Sequence, residues 1–225
     1  MFYEPEKDDH GLKKNPFKSC VVPRPIGWIS TLDANGVANL APYSQFTNLS
    51  FDPPYVLVAI NQMDGRRKDT TNNIEQTGEF VYNLVSYDLR DAMNISSAGF
   101  DPDVDEFEKA GLTKAPSVIV KAPRVAESPI QFECQYVVTL RIPGNIPVGS
   151  ADLIVGKVVG VHIKDEFIGP DDKIDMEKIR PLARMGYSEY TCVDHVFEIT
   201  PPNDIGKADE MAMGLEGNFS AFHRK

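Results

Sequence analysis

The stretch "PRPIGWISTLDANGVANLAPYSQFTNLSFDPP", residues 23–54, decides how the rest of the chain is read. Residues 27–33, "GWISTLD", have the composition of a strand, "ANG" at 34–36 that of a turn, and "VANLAPYS" at 37–44 that of a returning strand. Asn-Gly between two β-rich runs is the strongest short-range hairpin signal. The segment after this hairpin is unusual. Tyr43 to Ser50, "YSQFTNLS", is dense in small polar side chains, yet it leads through Pro53-Pro54 into the strongly apolar run "YVLVAI". A ligand rich in hydroxyls and carrying a phosphate would account for so much hydrogen-bonding capacity at the mouth of a core strand.

Outward from this segment, β signals dominate. "YVLVAINQ" (55–62) reads as a strand buried on both faces, and "EFVYNLVS" (79–86) as another. "SVIVKAPRVAES" (117–128), "QFECQYVVTLRI" (131–142) and "ADLIVGKVVGVHIKDE" (151–166) are rich in Val and Ile at strand spacing, and "VDHVFEIT" (193–200) supplies a last strand. "RKDTTNNIEQTG" (67–78) predicts a short helix with Asp69, Thr71 or Asn72 as N-cap and Gly78 just past its end. Residues 88–116 suggest two short helices in a peripheral insertion. The expected fold is therefore mainly β, a closed or partly closed barrel with short peripheral helices. Residues 1–17 form an arm, 18–202 the barrel domain, and 203–225 a tail that packs loosely or against a partner.

Composition narrows the function classes. The chain has 225 residues, 42% hydrophobic and 25% charged, as in an ordinary globular domain. A net charge of −10 argues against non-specific nucleic-acid binding. No apolar run approaches the roughly 20 residues that span a bilayer, and the N-terminus lacks a signal-peptide core. Cys20, Cys134 and Cys192 are widely spaced and read as reduced, buried thiols, which together points to the cytoplasm. There is no G-x-G-x-x-G after a strand, and "GSADLIVGK" has the wrong spacing for a P-loop. The four histidines lack metal-ligand spacing, so His162 and His195 read as strand residues.

Against this acidic background "RRK", Arg66 to Lys68, is a compact basic cluster immediately before Asp69-Thr70-Thr71 at the start of the expected helix. A helix N-terminus offers unpaired N–H groups and partial positive charge, and Arg67 and Lys68 would add charge-assisted hydrogen bonds to a phosphate. A solvated charge run beside a capped helix is the plainer alternative. Trp28, the only tryptophan, is either a core residue or the edge of a site for a planar ligand.

"PRPIGWISTLDANGVANLAPYSQFTNLSFDPPYVLVAI" together with "KDTTNNIEQTGEFVYNLVS" resembles the flavin reductase-like, FMN-binding split-barrel proteins, most closely the flavoredoxin-type branch. The likeness is densest over residues 21–86 and returns in "ECQYVVTLRI", "LIVGKVVGVHI" and "RPLARMGYSEY". Gln45 and Asn48 stand where the small reductase partners of monooxygenases carry serines. The resemblance implies an FMN-binding split β-barrel and a homodimer with the flavin near its interface. By position, Trp28 and Ser30 would approach the isoalloxazine. Tyr43, Ser44 and Gln45 would line the ring's polar edge and the ribityl chain, and Asn48 and Ser50 would reach the ribityl-phosphate. Arg67, Lys68, Asp69 and Thr70 would form the phosphate end, with Tyr187 or Tyr190 bordering the flavin. The implied activity is oxidoreduction from NADH or NADPH through FMN to an acceptor, in one version an acceptor protein, with no side chain as nucleophile or general base. The rival reading is a non-enzymatic FMN-binding or electron-carrier protein; an oxidase of the pyridoxine-phosphate type fits "PRPIGWIS" and "NLSFDPP" poorly.

Overall fold

A computed structural model describes residues 1–62, 65–145 and 149–199, so the tail expected over 203–225 lies outside the described residues. Its elements, in chain order, are β1 (Arg24–Pro25), β2 (Gly27–Leu32), β3 (Ala38–Tyr43), β4 (Phe46–Phe51) and β5 (Pro54–Asn61). Helix α1 (Asp69–Thr77) and strand β6 (Glu79–Asn83) come next, then α2 (Arg90–Ile95), α3 (Glu106–Lys109), β7 (Lys114–Ala115) and β8 (Arg124–Val125). The long hairpin β9 (Ile130–Ile142) and β10 (Ala151–Ile163), helix α4 (Met176–Ile179), and β11 (Leu182–Gly186) with β12 (Glu189–Cys192) follow.

Seven strands make one antiparallel sheet in the order β3-β2-β6-β9-β10-β5-β4. Its two edge strands, β3 and β4, are consecutive in sequence and joined only by Ser44 and Gln45. A link that short spans at most about 10 Å, so the sheet must curl until its edges meet. The Ala59 N–H donates to the Gln45 carbonyl at 2.8 Å, which carries the β4–β5 ladder up to that link. This is the barrel. "YSQFTNLS", read from sequence as a polar lining, is here the turn and edge strand that close it.

The interior is filled by Ile29, Val56, Val58, Ile60, Ile74, Phe80, Tyr82, Cys134 and Ile154, with Phe46 stacked on Tyr82 at 4.4 Å between ring centroids. Alternation along β5 puts Val56, Val58 and Ile60 inside. Leu57 and Ala59 face the other way and are only half buried, so β5 is covered on one face rather than two. Glycine is required at two close approaches. A Cβ on Gly27 would sit 2.7 Å from the Phe46 ring, and one on Gly156 would run into Phe80 at the β10 bulge. Ile74 of α1 enters the barrel, and Gly78 ends the helix in the left-handed region at φ 76°. Lys68 occupies the N-cap position, without a capping side-chain bond, rather than Asp69, Thr71 or Asn72.

A second apolar cluster lies outside the barrel, where Trp28, Leu40 and Val85 meet Met93 of α2 and Phe107 of α3. The segment 88–116 is thus held on the outer face of β2 and β3.

Three further sequence readings are corrected. Residues 117–123 are not strand; only Arg124–Val125 pairs, with β7. Val118, Ile119 and Val120 donate their N–H groups to the buried Glu133 carboxylate at 2.6–2.9 Å. Lys121 and Ala122 donate theirs to Glu79 Oε1. Two carboxylates have taken over the backbone donors that a ladder would use. Likewise 193–199 is irregular, the last strand among the described residues being β12, and His195 is exposed outside any strand, whereas His162 does lie in β10. Of the three thiols only Cys134 is buried; Cys20 is exposed and Cys192 intermediate. Among the described residues no helix is long and apolar enough to cross a membrane.

Candidate functional site

The N-terminus of α1 opens into a polar cavity of about 140 Å³ between β3 and the segment that follows α2. Strand alternation aims Asn39, Ala41 and Tyr43 of β3 at it. Lys68, Asp69 and Thr70 form its floor, and residues 96–100 with Glu106 close the far side. The centre of the arrangement is the Thr70 hydroxyl. It accepts from Asn39 Nδ2 at 2.9 Å and from the Tyr43 hydroxyl at 2.8 Å. Both lone pairs are then engaged, which leaves the Thr70 proton to donate. Burial pushes the Tyr43 phenol above its ordinary value, so it stays protonated and keeps donating. The N–H groups of Asp69 and Thr70 have no intrahelical acceptor, being in the first turn of the helix.

Charge in the cavity is mixed. Lys68 brings a positive charge, Asp69 and Glu106 carboxyl groups. Burial raises the Glu106 carboxyl above its ordinary range, although its Oε2 accepts the Leu40 N–H at 2.9 Å. Glu106, Asn39 and the serines at 96 and 97 were missed from sequence. Asn39 sits in the hairpin already singled out, but nothing local in "SSAGF" or "DEFE" marks those residues as facing α1.

Of the residues named from sequence, the fold brings Tyr43, Lys68, Asp69 and Thr70 together here. Trp28 and Ser30 are fully buried and present no surface. The Trp28 indole N–H donates to Ser96 Oγ at 2.9 Å, and Ser30 Oγ to the Pro123 carbonyl at 2.5 Å. Trp28 belongs to the outer apolar cluster because its side of β2 faces α2 and α3, not the barrel mouth.

Arg67 points away from the cavity. Its guanidinium takes both Glu75 oxygens at 2.6 Å, and its Nε donates to Asp152 at 3.0 Å. Those partners raise its pKa and depress that of Glu75, and Arg141 Nε completes the cluster on Asp152 at 3.0 Å. Ser44 and Gln45 form the seam turn, with Gln45 exposed, while Asn48 is exposed on β4 and Ser50 Oγ closes the following turn onto the Pro53 carbonyl. Tyr187 donates its hydroxyl to the Asn15 carbonyl, tying down the N-terminal arm. Tyr190 lines a separate cavity with Tyr87, Arg90 and Cys192.

The fold is that of a known class. The family model for the flavin reductase-like domain matches residues 19–176, and the chain belongs to that family of flavin-related oxidoreductases. An uncharacterised protein of Aquifex aeolicus is 39% identical over 171 residues, 76% of this chain and 84% of that one. Nitrilotriacetate monooxygenase component B from Bacillus cereus superposes with a TM-score of 0.81 at 28% identity, covering 88% of this chain and 98% of that one. Flavoredoxin of Desulfovibrio vulgaris shares the fold at 20% identity, with a TM-score of 0.69 over 84% of this chain and 97% of its own.

Proposed function

We propose that this protein binds FMN with the phosphate at the α1 N-terminus and passes electrons from NADH or NADPH through it to an acceptor. The observation that carries the reading is the Thr70 hydroxyl, which accepts two hydrogen bonds and so has its proton left to donate, beside Lys68 and the first-turn N–H groups of α1. These donors suit a phosphate or the adjoining ribityl oxygens. Asn39 Nδ2 keeps one proton to donate, and the Glu106 carboxyl with Ser97 Oγ, whose own proton goes to the Asn94 carbonyl, offers acceptors, the mix that a run of hydroxyls needs. A flavin supplies, when bound, the two-electron chemistry between a reduced nicotinamide and the acceptor. The residues here bind and orient; none is placed as nucleophile or general base.

At about 140 Å³ the cavity falls well below the roughly 300–1,000 Å³ of sites that enclose a whole small-molecule ligand. It suits the phosphoribityl part, with the ring outside it. A second protomer would cover the ring. The outer face of the sheet supports such a homodimer. Cross-strand partners share a face, which sets Leu57, Val155 and Val138 in one row and Ala59, Leu153 and Leu140 in the next. Ile142 extends the patch, and Val138, Leu140 and Ile142 are 49%, 59% and 43% exposed. An apolar patch of this extent marks an association surface.

Anaerobic absorbance titration tests the reading. FMN-loaded protein is expected to bleach promptly with NADH or NADPH, which also identifies the donor. Protein that takes up FMN but is reduced only by dithionite would instead be an electron carrier fed by a partner. Failure to take up FMN at all removes the proposal.

A further inference from the structure

Half-buried cations normally find a carboxylate, and in a chain of net charge −10 carboxylates are plentiful. One cavity gathers two cations that have none. It has a volume of about 360 Å³ and lies between the β7–β8 pair and the C-terminal half of β10, with Arg124, His162 and Lys164 in its lining. Among the described residues, Arg124 and Lys164 have no acidic partner. Both are instead tied to carbonyl or amide oxygens. Arg124 Nε and one terminal nitrogen donate to the Pro116 carbonyl at 3.2 and 2.9 Å, and the other terminal nitrogen donates to Gln131 Oε1 at 3.2 Å. Lys164 Nζ donates to the Glu127 carbonyl at 3.0 Å, while the Glu127 carboxylate is turned to the Thr113 N–H.

The clamp on Arg124 is itself buried. Gln131, 3% exposed, donates through Nε2 to the Val125 and Ser128 carbonyls, which leaves its Oε1 to face the guanidinium. Three of the five Arg124 N–H groups are used in this way, so each terminal nitrogen keeps one. Such a pair matches the two oxygens of a carboxylate or phosphate. Lys164 keeps two N–H donors. His162 adds an imidazole whose Nε2 lies 2.5 Å from the buried Glu133 carboxylate, so its ring is fixed while Nδ1 is left over.

We propose that this cavity is a second ligand site, one that takes the oxyanion of a small acid, a carboxylate or a phosphate, on Arg124 and Lys164. It is separate from the cavity at α1 and does not rest on the flavin reading.

The test is NMR titration of the full-length, 15N-labelled protein with inorganic phosphate and then with citrate, following the amide signals of Ala115, Ala126 and Lys164. Saturable movement of these signals is expected, and the tighter of the two probes identifies the oxyanion. In the Arg124→Gln/Lys164→Gln double variant the affinity is expected to fall by at least about tenfold, the loss of a charge-assisted bond. A Lys68→Ala variant, altered only in the other cavity, keeps the response, so the two sites fail or stand separately. Should the double variant lose its dispersed spectrum, Lys164→Gln alone decides, since it leaves the Arg124 clamp intact. Drift without saturation for both probes, or unchanged affinity in a folded variant, overturns the proposal.

Discussion

Arg67 and Lys68 are adjacent and equally basic, yet the fold gives them opposite work. Arg67 is spent on Glu75 and on Asp152, whose side chain is 1% exposed, while Lys68 lines the cavity at α1. Arg67→Ala should therefore cost about 3 kcal/mol of stability by stripping a buried carboxylate of one partner, leaving FMN affinity in the folded protein unchanged. Lys68→Ala should do the reverse, weakening FMN binding by about 1.5–3 kcal/mol with little effect on unfolding. Urea unfolding and flavin fluorescence titration on both variants check the pair; a matching loss of affinity in both would return Arg67 to the site. The sequence shows a basic cluster before a helix but not which way each side chain leaves the backbone. That depends on Asp152, 85 residues from Arg67, which only the closed barrel brings near. Trp28 teaches the same lesson from its side of β2. A strand residue's face is settled by what packs on it, here α2 and α3.

At the level of elements, the loop 117–122 is organised by Glu133. Burial alone would raise that carboxyl, but three backbone N–H groups and His162 hold it down at about 2, against an ordinary value of 4.5. Because the folded value is the lower one, the stabilisation is fully present above pH 4.5 and is lost as pH falls toward 2. It amounts to about 3 kcal/mol, to be read from the pH dependence of urea midpoints. Glu133→Gln should flatten that acid limb. A limb of undiminished slope in the variant would assign it to other carboxylates. The hairpin of β2 and β3, helix α1 and the long strands β9 and β10 were legible because periodicity and turn chemistry are local. The loop was misread because Val and Ile at strand spacing are the same signal whether the N–H groups meet a neighbouring strand or a side chain.

For the whole molecule, the barrel is decided at its seam, where Phe46 lies against Gly27. Gly27→Ala would force the ring aside and is expected to destabilise by about 1–3 kcal/mol, measured as a lower urea midpoint with unchanged slope. The apolar outer face belongs to the same scale. Leu140→Asp should convert a dimer to monomer in light scattering and weaken FMN binding at the same time. A monomeric wild type would remove both expectations. "YVLVAI" was read as buried on both faces, and the chain by itself covers only one; the proposed dimer would cover the other.

The two glutamates beneath residues 118–122 bear on how this protein would look to an isotope. Five successive amides there are sequestered by Glu133 and Glu79 although no ladder exists. In deuterated solvent at neutral pH they should retain their protons as a strand's would, so an exchange map would draw a continuous strand through a loop. Lowering the pH toward the titration of Glu133 should erase the Val118, Ile119 and Val120 portion of that drawing while the barrel strands remain.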